Sequence, residues 1–155
     1  MAKQHARNEQ METADDRISI AFKELSQRST RPREIIADTL TELAHARESF
    51  TAEELWREVR KTSAAIGRAT VFRSIEQLVE REVLERLDFA DGSHRYTVCE
   101  GSRHHHHLAC TQCHRVVEFE YCLPAATIAA IGEQNHFSIE GHALTIFGRC
   151  EKCRQ

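Results

Sequence analysis

The sequence predicts an α+β fold in which a helical domain that ends in a β-hairpin precedes a small C-terminal α/β domain. Three observations support this prediction. The first half contains successive amphipathic helical patterns, two short alternating stretches follow them, and the second half has strand-like stretches around two C-x2-C pairs. A chain of 155 residues suits two small domains, each of which would be marginal without a metal or a partner subunit.

Spacing and start signals predict four helices in the first half. Residues 1–16 have little periodicity and are predicted to form a flexible arm. Apolar residues at i, i+4 and i+7 indicate a first helix from Ile18 onward, and Pro32 marks the start of the second. Thr51 and Glu54 make a capping box at the start of the third. The fourth helix has a buried stripe of Val71, Ile75, Leu78 and Val79.

A hairpin is predicted directly after the fourth helix. Residues 83–89 and 94–98 flank an Asp91-Gly92 turn signal. Three or four short helices followed by a hairpin make the pattern of a winged helix-turn-helix domain, which we place at residues 17–98. The fourth helix leaves one face outside the apolar stripe, with Arg68, Thr70, Phe72, Arg73 and Gln77.

The second half differs in character from the first. Residues 99–103 are predicted to form a hinge, and residues 104–155 a small α/β domain. Strand-like stretches lie at residues 104–109, 116–121 and 137–147, with a helix that opens at Pro124 between the last two. No apolar run approaches the roughly 20 residues that span a bilayer, and the polar N-terminus lacks a signal peptide. We therefore expect a cytoplasmic location and no membrane partner.

Four of the six cysteines form two C-x2-C pairs. These are Cys110 with Cys113 and Cys150 with Cys153. Two such pairs suit a tetrahedral structural zinc site, in which each tight turn supplies two thiolates. Redox pairs and free buried thiols are the alternatives, but a redox C-x2-C usually occupies the strand-to-helix turn of a thioredoxin-like unit, and neither pair here does.

Four consecutive histidines precede the first cysteine pair. In a strand, His104 and His106 would face one side, and His105 and His107 the other. Each pair could then supply two ligands to a different metal. A solvated polar strand or a purification tag is the alternative, although tags are normally longer and terminal.

Two cysteines lie outside the C-x2-C pairs. Cys99 precedes His105 by six residues, and a thiolate beside two imidazoles favours zinc over iron(II) or manganese(II). The alternative is a small buried apolar residue, the common fate of a free cysteine. We prefer that alternative for Cys122. His142 would approach His104 and His106 only if the last strand pairs with them.

At this point the residues resemble the ferric uptake regulator family over nearly the whole chain. The motifs that carry the resemblance are Gly67–Arg73 on the fourth helix, Arg95-Tyr96 in the hairpin, His104–Cys113, and the terminal Cys150-x2-Cys153. Together they are highly specific. The resemblance implies an N-terminal winged-helix domain that binds an operator in double-stranded DNA, a C-terminal domain that forms a homodimer, and a metal co-repressor.

The resemblance also implies a set of metal sites. Cys110, Cys113, Cys150 and Cys153 would be the structural zinc ligands. As in zinc-sensing members, the regulatory zinc ligands would be Glu85, Cys99, His105 and His107. A third site would use His104, His106 and His142, with Glu120 in place of a family glutamate whose position holds Ala125. Iron-sensing members use a histidine and a glutamate where this chain has Ser49 and Thr97, which is the main reason to expect zinc sensing.

For DNA contacts, the same resemblance selects the exposed face of the fourth helix. Arg73 and Thr70 would read bases, and Arg68 would contact phosphate. Phe72 stands where the family usually has tyrosine, so that a thymine-methyl contact would survive while a hydrogen bond is lost. Arg28 would reach a neighbouring groove or phosphate. Each of these arginines has an alternative as a surface charge that confers solubility.

The expected function is therefore a zinc-dependent transcriptional repressor of metal-uptake genes with no small-molecule substrate. An iron- or peroxide-responsive regulator of the same family is the first alternative, and a zinc storage protein is a distant one. A zinc enzyme is not expected, because the chain lacks the H-E-x-x-H, deaminase and G-x-S-x-G motifs.

Overall fold

The computed structural model of the protein describes residues 13–25, 30–99 and 104–155. Within these residues it contains five helices and five strands, which confirms the predicted α+β fold. They are α1 (Ala14–Glu24), α2 (Arg31–Ala46), α3 (Ala52–Thr62), α4 (Arg68–Glu80), β1 (Leu84–Asp88), β2 (His94–Val98), β3 (His106–Cys110), β4 (Val116–Phe119), α5 (Ala125–Asn135) and β5 (Thr145–Gly148). No helix in the described ranges is long and apolar enough to cross a membrane.

The N-terminal domain packs α1 to α4 and the β1–β2 hairpin around one apolar core. Each helix contributes one buried face, and Leu40, Leu55 and Leu78 are fully buried at its centre. The predicted capping box of α3 is present, since the Thr51 hydroxyl accepts from the Glu54 N–H and the Glu54 carboxylate accepts from the Thr51 N–H. This core fixes α4 against α3 and leaves the opposite face of α4 in solvent.

The first helix begins earlier than the sequence pattern suggested. The lack of apolar periodicity predicts an arm up to Asp16, yet α1 starts at Ala14. Residues 1–12 of the predicted arm lie outside the described residues. Thr13 and Asp16 form a second capping box there. A polar first turn is what a capped helix start contains, so periodicity alone locates such an end too late.

The C-terminal domain contains a three-stranded sheet in the order β4-β3-β5. β3 pairs antiparallel with β4 and parallel with β5, and α5 lies in the crossover between β4 and β5. The strand expected over residues 137–147 is limited to Thr145–Gly148, and the preceding residues from Phe137 form an extended loop. That loop carries His142 toward β3.

The two domains meet at a joint beside the first cysteine turn. The Ser49 hydroxyl donates to the carbonyl of His114, and Glu48 pairs with Arg115 in an isolated β-bridge. Phe89, at the end of the hairpin's first strand, packs edge-on against the ring of His114 at 5.3 Å between centroids. Leu87 and Phe89 of the hairpin also share an apolar cluster with Ala109 and Val116 of the sheet.

Arg95 on β2 holds Ser49, which lies just before α3 and takes part in this joint. Its guanidinium donates to the Ser49 carbonyl at 2.8 Å and to Glu54 Oε2 at 2.7 Å, and its side chain is only 12% exposed. Burial alone would raise the pKa of the Glu54 carboxyl, but the Thr51 N–H and the Arg95 guanidinium together lower it. The ion pair is therefore a partly desolvated, hydrogen-bonded link between β2 and α3.

Arg95→Ala is expected to lower the free energy of unfolding by about 1–3 kcal/mol, because it leaves the Ser49 carbonyl and the Glu54 carboxylate without their shared donor. Chemical denaturation followed by circular dichroism measures the change. Arg86→Ala is the matched control, since Arg86 makes an exposed ion pair with Asp88 on the same hairpin and should change stability by less than about 0.5 kcal/mol. Equal losses in the two variants would contradict the role given to Arg95.

Candidate functional site

The four consecutive histidines are divided between two clusters by the geometry of β3. Side chains alternate across a strand, and His105 and His107 lie near Glu85, whereas His104 and His106 lie near His142. The structure thus separates the pairs as the sequence pattern predicted.

The interdomain cluster, which consists of Glu85, Cys99, His105, His107 and Glu118, joins the two domains. Glu85 comes from β1 and Cys99 follows β2, while His105 directly precedes β3 and His107 lies within it. One donor atom from each of Glu85, Cys99 and His105 lies within 4.8 Å of the others, and the His105 Nε2 to Glu85 Oε2 distance is 3.3 Å. Arg17 on α1 helps position this set by donating to the carbonyl of Cys99.

His107 lies at the edge of the same cluster. Its Nδ1 atom is 3.6 Å from Glu85 Oε1, and its donor atoms group with those of His105 and Glu118. Sequence reasoning missed Glu118, although a signal was available. The turn at the first cysteine pair makes β3 and β4 a hairpin, and His107 is then the register partner of Glu118.

Burial sets the protonation states in the interdomain cluster. Desolvation raises the pKa of the Cys99 thiol to about 12, and the carboxylates of Glu85 and Glu118 add to the effect. Desolvation also lowers the pKa of His107. The thiol is therefore protonated and the imidazole neutral at pH 7, so that a cation bound here would displace a proton from sulfur.

The four-cysteine cluster consists of Cys110, Cys113, Cys150 and Cys153, whose sulfur atoms all lie within 4.8 Å of one another. Zn–S bonds of about 2.3 Å imply S···S separations of about 3.8 Å in a tetrahedron. The Cys113 Sγ to Cys150 Sγ distance is 3.6 Å. Backbone N–H groups of Cys113 and Cys150 lower the pKa of the Cys110 thiol to about 6. Four convergent thiols, one already inclined to ionise, fit a structural zinc ion.

The three-histidine cluster consists of His104, His106 and His142 together with Cys122. His142 Nε2 is 3.0 Å from His104 Nε2 and 3.0 Å from Cys122 Sγ. The expectation of an inert, buried Cys122 is thus not what the structure shows.

Glu120 is exposed and is not a member of this group, which corrects its assignment to the third site. It follows β4 directly, two residues after Glu118, so strand alternation directs it away from His104 and His106.

The exposed face of α4 carries the predicted DNA-contacting side chains. Thr70 and Arg73 are exposed, and Phe72 is 37% exposed. Arg68 is paired with Glu53 at 2.7 Å, and its guanidinium lies over the ring of Trp56. Arg28 lies outside the described residues.

Comparisons with known proteins agree on one family. The model of the ferric uptake regulator family matches residues 24–147. The ferric uptake regulation protein of Bacillus subtilis (strain 168) is 36% identical over 145 residues, which cover 92% of this chain and 96% of the relative. The crystal structure of the Vibrio cholerae ferric uptake regulator is 26% identical, with a TM-score of 0.61 over 85% of this chain and 98% of that one.

A zinc uptake regulator complexed with zinc and DNA has the same fold. It superposes with a TM-score of 0.62 over 92% of this chain and 95% of that chain. Its sequence identity of 18% makes this a likeness of fold alone.

Cys113→Ser is expected to release the tightly held metal of the four-cysteine cluster, because three thiolates cannot complete the tetrahedron. Metal analysis after gel filtration with a chelator should give one fewer zinc ion per chain, together with a lower Tm. Gln112→Ala alters the same turn without removing a ligand and should retain the zinc. The assignment would be wrong if Cys113→Ser kept its full zinc content.

Proposed function

Because this chain belongs to the ferric uptake regulator family, we propose that it is a metal-responsive, DNA-binding repressor with zinc as co-repressor, acting in the cytoplasm on metal-uptake genes. It is a regulator and not an enzyme. The interdomain cluster carries the proposal, since its donors come from the hairpin of one domain and from the sheet of the other.

The donor chemistry of that cluster supports zinc as the effector. The proposed ligands are Glu85, Cys99, His105 and His107. They offer one carboxylate, one thiolate and two imidazoles, and this set suits tetrahedral zinc. A thiolate also disfavours the harder cations iron(II) and manganese(II). Glu118 lies beside both histidines, with its Oε1 atom 3.8 Å from His105 Nε2 and 4.0 Å from His107 Nε2.

The way in which the ligands are distributed suggests how binding controls DNA affinity. When one cation binds all four ligands, it would connect β1 and the end of β2 to β3. The hairpin of the first domain would then be held at a fixed angle to the sheet of the second. Residues 100–103 of the predicted hinge lie outside the described residues. Without the cation, the two domains would be free to adopt other angles, and only a fraction of the molecules would be competent to bind DNA. The apparent affinity for the operator then falls in proportion to that fraction.

The proposed DNA-reading surface is the N-terminal half of α4. Arg73 and Thr70 would contact base edges in a major groove, as on a recognition helix, and Phe72 would offer an apolar contact to a thymine methyl group. Arg68 would exchange its ion pair with Glu53 for a phosphate, which adds affinity without sequence information. Arg28 would supply a further contact.

Homodimerisation is proposed through the C-terminal domain. Leu108 and Ile146 are register partners on β3 and β5, and they are 47% and 45% exposed. Tyr121 and Phe137 are 80% and 72% exposed in the same domain. An apolar surface of this kind on a domain with few buried side chains is typical of a subunit interface. A dimer would also present two α4 helices to successive half-sites.

One alternative has an observation in its favour. The curated relative from Bacillus subtilis is named for ferric uptake regulation, and Glu118 with His105 and His107 would offer iron(II) an oxygen-containing site. Ser49 argues against that alternative, because its hydroxyl is already used in the domain joint and supplies no imidazole.

Zinc, and not iron(II), is expected to switch on operator binding. The assay is operator binding by the purified protein at controlled free metal concentrations. Cys99→Ser should weaken the zinc response at least about tenfold, since it removes a ligand, while the zinc of the four-cysteine cluster is retained. Activation by iron(II) with an indifferent Cys99→Ser variant would overturn the zinc assignment. A failure to bind any duplex in the presence of zinc would favour storage.

Arg73→Ala provides the complementary control for that assay. At every zinc concentration, its free energy of specific operator binding should be weaker by about 1–3 kcal/mol, the contribution of one base contact. Its metal content should be that of the wild type. The two variants therefore separate metal sensing from DNA reading.

Ile146→Glu is expected to convert the dimer to monomers, because it places a charge at the centre of the proposed apolar interface. Sedimentation equilibrium gives the mass directly. Ile20→Glu on α1 is the matched control, since Ile20 is similarly exposed at 41% but lies in the N-terminal domain, and it should remain dimeric. A wild-type chain that sediments as a monomer would refute the homodimer.

A further inference from the structure

Cys122 occupies a position in the three-histidine cluster that the proposed function does not use. The resemblance implies a third metal site at His104, His106 and His142, and the position of its family glutamate holds Ala125. We infer that the Cys122 thiolate supplies the fourth ligand of this site in place of that glutamate and makes it select zinc over manganese(II) and iron(II). The inference does not depend on metal-controlled DNA binding, because none of these four residues belongs to the interdomain cluster.

The donor atoms converge to separations at or below the edges of a coordination tetrahedron. Zn–N bonds of about 2.05 Å and a Zn–S bond of about 2.3 Å imply N···N separations of about 3.4 Å and N···S separations of about 3.6 Å. The His104 to His142 Nε2 separation is 3.0 Å, and Cys122 Sγ lies 3.0 Å and 3.7 Å from these nitrogens. One donor atom of His106 joins them within a 4.8 Å limit that all four residues satisfy.

His106 provides an independent reason for a cation. Its side chain is fully buried, and neither ring nitrogen has a hydrogen-bond partner among the residues that the structure describes. Buried polar atoms are nearly always hydrogen-bonded or metal-bound, because desolvation without a partner costs free energy. Hydrogen bonds among His104, Cys122 and His142 would satisfy those three side chains but would leave His106 unpaired. A cation at the centre satisfies all four.

The identity of the donors decides the class of cation. Three imidazoles and one thiolate make a nitrogen and sulfur set without oxygen, which suits zinc and is poor for the oxygen-preferring ions manganese(II) and iron(II). Cys122 therefore determines the selectivity of the site, whereas a carboxylate in its place would widen the range of metals.

The location of the ligands shows what the site would stabilise. Cys122 lies in the loop between β4 and α5, and His142 lies in the loop before β5, so both are outside regular structure. A metal shared with His104 and His106 would fasten these two loops to β3. All four ligands belong to the C-terminal domain, so the site would leave the angle between the domains unaffected.

Cobalt(II) spectroscopy on the full-length chain tests the inference, with Cys99→Ser as the background. In that variant, Cys122 is the one cysteine outside the four-cysteine cluster, which is kept loaded with zinc. Added cobalt(II) should give thiolate-to-cobalt charge transfer in the near ultraviolet. The Cys99→Ser/Cys122→Ser variant should lose that absorption and bind cobalt(II) at least about tenfold more weakly. Retained zinc and an unchanged circular dichroism spectrum show that the variant is folded.

Two further variants make the result decisive. Glu120→Gln in the same background should keep the full absorption, because Glu120 is not in the cluster. Cys122→Asp should lose the absorption and gain manganese(II) binding, which electron paramagnetic resonance detects. The inference is wrong if Cys122→Ser leaves the absorption unchanged, or if Glu120→Gln abolishes it. No DNA is present in these measurements, so their failure would not affect the proposed repressor function.

Discussion

The alternation of side chains along β3 is the constraint on which the functional architecture depends. A strand directs successive residues to opposite faces, so one segment delivers His105 and His107 to the domain boundary and His104 and His106 to the opposite face. The same strand ends at Cys110, the first member of the four-cysteine cluster. A shift of one residue in the pairing of β3 would exchange the two histidine pairs between the clusters. Its pairing on both edges with β4 and β5 fixes the register.

At the domain boundary, a bound cation would change the electrostatics of the interdomain cluster. The carboxylates of Glu85 and Glu118 approach the same two imidazoles, and Cys99 is buried beside them as a neutral thiol. Desolvated groups of this kind are costly unless they are paired. A divalent cation would pair the carboxylate and hold the Cys99 sulfur as a bound thiolate. The joint made by Ser49 and Phe89 holds the two domains in contact close to this cluster.

Most of the fold and part of the candidate site could be predicted from local pattern. The helices, the hairpin and the split of the histidines follow from periods of 3.6 and 2 residues, which act over a few neighbours. Glu118 was within reach of the same reasoning, since hairpin register places it opposite His107. Cys122 was not, because it lies past the end of β4, where no strand period constrains it. Its position depends on how two loops fold onto β3, which is tertiary information that local spacing does not contain.

The three clusters differ in what must be organised before a cation can bind. The four-cysteine and three-histidine clusters draw all their donors from the C-terminal domain, so folding of that domain brings the ligands together. The interdomain cluster needs both domains at one angle, and its apparent affinity is lowered by the fraction of molecules that have that angle. Among sites with comparable intrinsic affinity, the interdomain cluster would therefore fill last as the free cation concentration rises. Under the proposed function, operator binding would raise that fraction, so by reciprocity DNA and cation would strengthen each other's binding. A site that fills last and is coupled to DNA would be the one suited to report an excess of metal, whereas the other two would stabilise the C-terminal domain.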